Sequence, residues 1–372
     1  GTVFESVRMG HAFARECTNN DVRRELALIR RSEQLQQKRI ASLKPMDENV
    51  LEHTIGYEQL AVDLTANLAL SEKNDYVRRQ LNFALLEDFD HLYRYADLME
   101  LEKSGDPARL VGDYTEIMPG RPTVAEYRHP YDDVKFNINN YLNEPLTRLH
   151  INIITAAEQQ TMNYYMNVGN LYTGELGRKL YNEIAMIEEQ HVTGYESLKD
   201  SSCTPFENLV MNEYTECYLY YSCYEDETDA RIKNIWEQHF TEEVAHLHRA
   251  AELLKKYEGK VWQQLFPEGG EFPELLRFRS QKDYVREVLK SVRLTAVEEG
   301  FRELAALPDN FRYFNYNKAI NGNIASVGTH SVINRAISEF GKDYRIEDAA
   351  HPIAALAGRT KDNTDVGRVK DA

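Results

Sequence analysis

Apolar residues recur every three or four positions through most of this 372-residue chain, which is the period of an α-helix. Alternating runs of the kind that form strands are nearly absent, so the pattern predicts an all-α protein. Seven long helices are expected, with a further helix at about 282–306 near the end of the chain. The long helices are predicted at 18–44, 48–70, 75–102, 145–168, 175–198, 206–225 and 229–257.

Six of the long helices form three pairs, each joined by a short turn, and therefore predict three antiparallel helix hairpins. A Pro- and Gly-containing connection at 104–144, with one short helix, separates the first pair from the second. About eight residues separate the second pair from the third. The predicted organisation is an N-terminal helical extension (1–47), a bundle of three hairpins (48–257), C-terminal helical additions (258–356) and a flexible tail (357–372).

One arrangement of acids and histidine occurs in all three hairpins. A Glu is followed thirty residues later by an acid, and three residues after that by a His. The acid and the His share one helix face, and the Glu and the acid lie at the same height of an antiparallel pair. The three sets are Glu58–Asp88–His91, Glu158–Glu188–His191 and Glu213–Glu243–His246.

These sets differ from the matches that composition alone would give. With 60 acids and 11 His, roughly two acid-x-x-His matches are expected by chance, and the chain has five. The other two, Glu126–His129 and Asp348–His351, lie in loop-like stretches without the upstream Glu. The three helical sets lie on apolar stripes, where charge is costly unless it is paired or bound to metal. A polar core network without metal is the alternative interpretation.

On these three sets the chain resembles the ferritin-like superfamily of di-iron and di-manganese carboxylate proteins, over roughly residues 48–257. The resemblance implies a helical bundle in which two hairpins, joined by one long crossover, bind two iron or manganese ions. The 104–144 connection is long enough to cross a bundle, and the eight residues before the third hairpin are not. We therefore expect the site to consist of Glu58, Asp88, His91, Glu158, Glu188 and His191.

The third set, Glu213, Glu243 and His246, has no standard role in that family and stays a candidate metal-binding group. It is interpreted as a vestige of hairpin duplication, a structural ion site, or half of a site completed across a homodimer. If the 104–144 connection does not cross the bundle, the second and third hairpins become the better pair. His239 shares a face with Glu243 and is interpreted as a surface or capped histidine.

The resemblance also implies the chemistry. Glu58 and Glu158 would be terminal ligands and Asp88 and Glu188 would bridge two ions that react with O2 or peroxide. An oxidase or oxygenase acting on a small organic substrate is the leading function, because the chain is about twice as long as a bare bundle requires. A peroxide-scavenging or ferroxidase-type protein and a non-catalytic helical scaffold are the alternatives.

Tyr95 and Tyr195 each follow a predicted ligand histidine by four residues and are candidate electron relays, with core packing as the alternative. A net charge of −16 disfavours a nucleic-acid partner. No apolar run is long enough for a membrane span, and no signal segment opens the chain. Four Cys without a Cys-x-x-Cys pair favour reduced thiols and a cytoplasmic location.

Overall fold

The computed structural model describes residues 1–121, 127–297, 300–322, 327–345 and 349–360. In these residues it contains thirteen α-helices and one pair of two-residue strands, so the all-α helical bundle predicted from the sequence is confirmed. None of the described helices is long and apolar enough to cross a membrane. The helices are α1 (Thr2–Glu16), α2 (Asn20–Ala41), α3 (Val50–Ser71), α4 (Asp75–Leu101), α5 (Pro107–Val111), α6 (Pro130–Asp133), α7 (Pro145–Leu171), α8 (Glu175–Ser197), α9 (Pro205–Asp226), α10 (Ala230–Glu258), α11 (Lys282–Leu289), α12 (Arg312–Asn321) and α13 (Gly328–Phe340).

The seven long helices predicted from the sequence are present, each to within three residues at either end. Local capping explains why the boundaries could be found. Asn49 and Glu52 form a reciprocal capping box at the start of α3, and the Asn74 side chain accepts two backbone N–H groups at the start of α4. Asp229 caps α10 in the same way, and Gly259 ends that helix in the left-handed conformation, with φ of 70°.

Three regions differ from the sequence prediction. The N-terminal extension holds two helices, because α1 precedes α2, and the connection between α4 and α7 holds α5 and α6 where one helix was expected. The helix predicted at 282–306 is wrong beyond Leu289: the chain instead pairs Leu294–Thr295 with Arg302–Glu303 as short antiparallel strands. β-branched Thr295 and Val297 favour an extended backbone there.

The described helices group into two compact units, and neither unit is one continuous stretch. The first comprises residues 1–46, 137–160 and 198–278, and the second comprises the described residues within 47–136, 161–197 and 279–372. Helix α7 therefore begins in the first unit and ends in the second. The four-part division by chain order stays a prediction, as does the antiparallel sense of each hairpin.

In the first unit, α1 packs against α2 and α9, and α10 packs against α9 and α2. The buried face of α2 begins with Val22, Leu26 and Ile29, at the spacing of one helix stripe. The same stripe continues into Glu33 and Gln36, which are also buried. The C-terminal part of this buried stripe is therefore polar.

Helix α4 is the central helix of the second unit, since nearly all of its side chains from Val77 to Met99 are buried. Helices α3, α8, α11 and α13 pack against it. Its charged side chains are paired: the fully buried Arg94 lies 3.0 Å from Asp343, 3.1 Å from Asp97 and 3.3 Å from Asp90. Such pairing compensates the cost of burying charge. Helix α4 can therefore carry charged residues in the middle of the core.

Candidate metal centre

Five of the nine predicted ligands come together inside the second unit, and each is fully buried. They form two overlapping groups, in each of which one ligand atom per residue lies within 4.8 Å of the others. Glu58, His91 and Glu188 form one group, while Asp88 and His191 join the same Glu188 in the other. The first two acid–His pairs thus face each other from α4 and α8.

Glu188 lies between the two histidines. Its Oε1 atom is 3.0 Å from Nδ1 of His91, and its Oε2 atom is 3.2 Å from Nδ1 of His191. The two imidazole rings are 6.0 Å apart between centroids, and Oδ1 of Asp88 is 3.3 Å from Nδ1 of His191. One carboxylate therefore presents one oxygen to each half of the cluster.

His191 is held from outside the cluster by a carboxylate. Its Nε2 atom lies 2.7 Å from Oε2 of Glu87, and Glu87 in turn accepts a hydrogen bond of 2.9 Å from Arg128. Burial alone would raise the pKa of Glu87, but Arg128 and His191 outweigh burial and lower it to about 2. An ionised Glu87 accepts a hydrogen bond from Nε2 of His191, so Nδ1, which faces the cluster, is the nitrogen that a metal would bind.

Some potential ligand atoms of the buried cluster make no hydrogen bond within the described part of the chain. Oδ2 of Asp88 and Nε2 of His91 have no hydrogen-bond partner among the described residues. Burial raises the pKa of Asp88. Burial also opposes ionisation of Glu188, but hydrogen bonds with His191 and His91 outweigh it and lower the pKa of Glu188. Carboxylate oxygens and imidazole nitrogens together suit Fe(II) or Mn(II), so this donor set fits a resident metal.

Tyrosines adjoin one end of the cluster. The Tyr165 hydroxyl donates a 2.5 Å hydrogen bond to Oε1 of Glu58. Burial raises the pKa of Tyr165 well above its ordinary value, so the phenol keeps its proton. The Tyr95 ring lies 5.2 Å from that of Tyr165, and Tyr195 is fully buried on α8. Sequence reasoning did not single out Tyr165 or Glu87, because their partners lie on other helices.

Glu158 is buried on α7 with 1% of its surface exposed. It belongs to the first unit, three residues before α7 enters the second at Thr161. It precedes Tyr165 by seven residues, so the two side chains lie on the same face of α7, two turns apart. Its membership of the metal centre stays a prediction.

The third predicted set forms a separate cluster inside the first unit, and α2 supplies its fourth member. One ligand atom each of Glu33, Glu213, Glu243 and His246 lies within 4.8 Å of the others. Oε2 of Glu243 is 3.0 Å from Nδ1 of His246, and Oε1 of Glu243 accepts a 2.5 Å hydrogen bond from Gln36. A third carboxylate, that of Glu33, therefore comes from the same chain, without a partner copy.

Sequence reasoning missed Glu33, although a signal was present. Glu33-x-x-Gln36 has the spacing of an acid-x-x-His step, and it continues the apolar stripe of α2. Burial, together with the nearby Glu243, raises the pKa of Glu33 well above its ordinary value. Burial and neighbouring carboxylates raise the pKa of Glu213 and of Glu216 in the same way.

The interpretation of His239 as a surface or capped histidine is wrong. The residue is fully buried, and neither ring nitrogen has a hydrogen-bond partner among the described residues. Its ring contacts Tyr220 at 5.0 Å and Trp236 at 6.1 Å between centroids. Burial lowers the pKa of His239 to about 4, so the ring is neutral at ordinary pH.

Comparison with known protein families, with curated proteins and with solved structures gave no match. The ferritin-like resemblance therefore rests on the residues of this chain alone. The structure does establish buried groups of acids and histidines that could hold metal ions. Glu126 and Asp348, the acids of the two loop matches, lie outside the described residues, and the predicted partners and cellular location stay predictions.

Proposed function

We propose that the second unit holds a dinuclear iron or manganese centre of the ferritin-like kind, and that the protein is an oxidoreductase acting with O2 or peroxide. The observation that carries this proposal is the position of Glu188, with Oε1 facing His91 and Oε2 facing His191. If Glu188 served only to form an ion pair that stabilises the fold, one histidine beside its carboxylate would be enough. Two histidines held at opposite oxygens support two metal positions.

Glu58, His91 and Glu188 would hold one ion, and Asp88, Glu188 and His191 the other. Glu158 is proposed as the remaining carboxylate, by analogy with the third hairpin. There Glu213, thirty residues before Glu243, reaches the group that contains Glu243 and His246. Glu158 stands at the same thirty-residue spacing before Glu188 in the second hairpin, and this spacing supports the proposal.

Two Fe(II) or Mn(II) ions bound there would supply two electrons, which with two protons reduce O2 to hydrogen peroxide or peroxide to water. The protein side chains would control access and orientation. Full burial of the cluster excludes bulk water, and Glu87 fixes the ring of His191. Tyr165 keeps its proton and holds Glu58 by a hydrogen bond, so that this carboxylate has a single orientation.

A row of tyrosines supports the proposal that electrons reach the centre through Tyr95. The Tyr95 ring lies 5.2 Å from Tyr165 and 4.8 Å from Tyr181. The Tyr181 ring is 5.2 Å from that of Tyr172, which is only partly buried. This row leads from Tyr165, which donates a hydrogen bond to Glu58, towards solvent. The ring contacts that form the row do not include Tyr195.

The test begins with metal content per chain, in protein loaded with Fe(II) or Mn(II), for the wild type, His91→Ala and His191→Ala. Either substitution is expected to remove at least one ion from the second unit. Rapid consumption of O2 by the Fe(II)-loaded wild type should be lost in both variants. Unchanged metal content in both variants would exclude the proposed centre.

Oxygen and peroxide consumption, each with and without added organic substrates, separates the leading function from its alternative. An oxidase or oxygenase is expected to consume O2 catalytically only when an organic substrate is present. A scavenging or ferroxidase-type protein would turn over peroxide, or oxidise Fe(II), without any organic substrate. Absence of both activities in metal-loaded protein would leave a metal-binding scaffold.

A further inference from the structure

We propose that the first unit holds a second, separate metal site, which binds a single divalent transition-metal ion through Glu33, Glu213, Glu243 and His246. The proposal does not depend on the function proposed for the second unit. It rests on the arrangement of the four side chains, on unused ligand atoms, and on a match between the surroundings of Glu243 and those of Glu188.

Glu243 repeats the environment of Glu188 within its own unit. Each has Oε2 close to Nδ1 of the histidine three residues later, at 3.0 Å for His246 and 3.2 Å for His191. Each has Oε1 close to a nitrogen from a facing helix. That nitrogen belongs to His91 in the second unit and to Gln36 in the first.

Gln36 stands where the second unit has His91, and for this reason we propose one ion and not two. Nε2 of Gln36 is an amide nitrogen with no lone pair available to a metal. It donates a hydrogen bond to Oε1 of Glu243. Val3 stands thirty residues before Glu33, where the other sets have Glu. One of the two metal positions thus lacks both its histidine and its carboxylate, and the other is complete.

The position formed by Glu33, Glu213, Glu243 and His246 contains carboxylate oxygens that make no hydrogen bond within the described part of the chain. Glu33 is 1% exposed and Glu213 is fully buried, and no oxygen of either carboxylate has a hydrogen-bond partner among the described residues. Such groups are costly in a protein interior unless they bind an ion. Three carboxylates and one imidazole suit Mn(II) or Fe(II). The His246 side chain is 13% exposed, which gives the ion a route from solvent.

The direct test uses Mn(II) in a background that carries His91→Ala and His191→Ala, so that the second unit contributes little binding. We expect about one Mn(II) per chain, with the electron paramagnetic resonance spectrum of an isolated ion. Adding Glu33→Gln should weaken binding at least about tenfold, since even outer-sphere partners of a metal cost about 10- to 100-fold. Adding His246→Ala should have the same effect.

Glu216→Gln is the matched control. Glu216 is buried in the same unit, and its oxygens also lack hydrogen-bond partners among the described residues, but it is not one of the four grouped ligands. We expect this variant to keep its Mn(II). Equal losses in Glu33→Gln and Glu216→Gln would show that charge alone attracts the ion and would overturn the proposed coordination.

Thermal unfolding distinguishes metal binding from a purely structural role. Without metal, Glu33→Gln removes a buried carboxylate and should leave the Tm equal to or above that of the parent protein. With Mn(II), the parent Tm should rise and that of the variant should not. If the double-histidine background does not fold, the same variants are compared in the wild type, where Glu33→Gln should remove one ion per chain. No Mn(II) attributable to Glu33 in either setting would refute the proposal.

Discussion

Glu87→Gln tests whether the second unit orients His191 for metal binding. In the structure Nε2 of His191 lies 2.7 Å from Oε2 of Glu87, and both side chains are fully buried. Glutamine keeps the size of the side chain but removes its charge. If its NH2 group turns towards His191, the ring must carry its proton on Nδ1, and the nitrogen that faces Asp88 is then no longer free for a metal.

Two arguments give the size of the effect. A buried hydrogen bond to a charged group contributes about 1.5–3 kcal/mol. Loss of an outer-sphere partner of a metal-binding histidine usually weakens metal affinity by about 10- to 100-fold, and that range corresponds to about 1.4–2.8 kcal/mol. The two estimates agree, so we expect the Kd for Mn(II) in the second unit to rise by about 10- to 100-fold in Glu87→Gln.

Asp133→Asn is the matched control, because Asp133 accepts a 2.7 Å hydrogen bond from the same Arg128 that pairs with Glu87. Both substitutions remove one negative charge from the pairs around Arg128, and both should lower the free energy of unfolding. Of these two carboxylates, Glu87 is the one that contacts His191. Competition between the protein and a fluorescent chelator for Mn(II) measures the affinity, with Glu33→Gln added to remove binding in the first unit.

Equal losses of Mn(II) affinity in Glu87→Gln and Asp133→Asn would refute the reasoning, because they would show that Glu87 acts only through Arg128 and the stability of the fold. Unchanged affinity in Glu87→Gln would show that the orientation of His191 does not limit binding. Either result would require another explanation for the buried carboxylate next to the cluster.

Three further predictions concern other side chains. Tyr165→Phe removes the hydrogen bond to Glu58 and should lower the free energy of unfolding of the metal-free protein by about 1–3 kcal/mol in urea titrations, with metal content unchanged; loss of metal would contradict this. Burial raises the pKa of Glu183 to about 7, so the folded protein holds that proton more tightly than the unfolded chain does. Stability should therefore fall as the pH rises from about 4.5 through 7, and Glu183→Gln should remove about 1–3 kcal/mol of that decline, measured by unfolding at several pH values. Gln36→His restores the missing histidine of the first unit and should raise its content from one Mn(II) towards two, shown by metal analysis and by magnetic coupling in the electron paramagnetic resonance spectrum; a single uncoupled ion would contradict it.

The long helices could be predicted from the sequence because their causes are local. The apolar stripes and caps such as Asn74 and Asp229 lie within a few residues of the boundaries that they set. The division into two units could not be predicted in the same way. It depends on which helices pack together, and α2 packs with α10, which lies some two hundred residues later in the chain.

Spacing along a helix also indicated most of the candidate ligands, since a three-residue step puts an acid and a histidine on one face whatever the fold. Spacing cannot show what approaches that face from another helix. Glu87 and Tyr165 were missed for this reason: each reaches a predicted ligand, His191 or Glu58, across a helix contact.

The odd number of acid–histidine sets has a physical explanation in the first unit. Three sets contain both Glu and His, and this odd number leaves one hairpin without a partner set. The structure places Glu33-x-x-Gln36 opposite Glu243, at the position that Asp88-x-x-His91 occupies opposite Glu188. The chain therefore carries a fourth, incomplete set, with Val3 where the other sets have the upstream Glu and Gln36 where they have the histidine. A set that has the acid without the histidine can still complete one metal position, and for that reason we expect the two units to differ in the number of ions they bind.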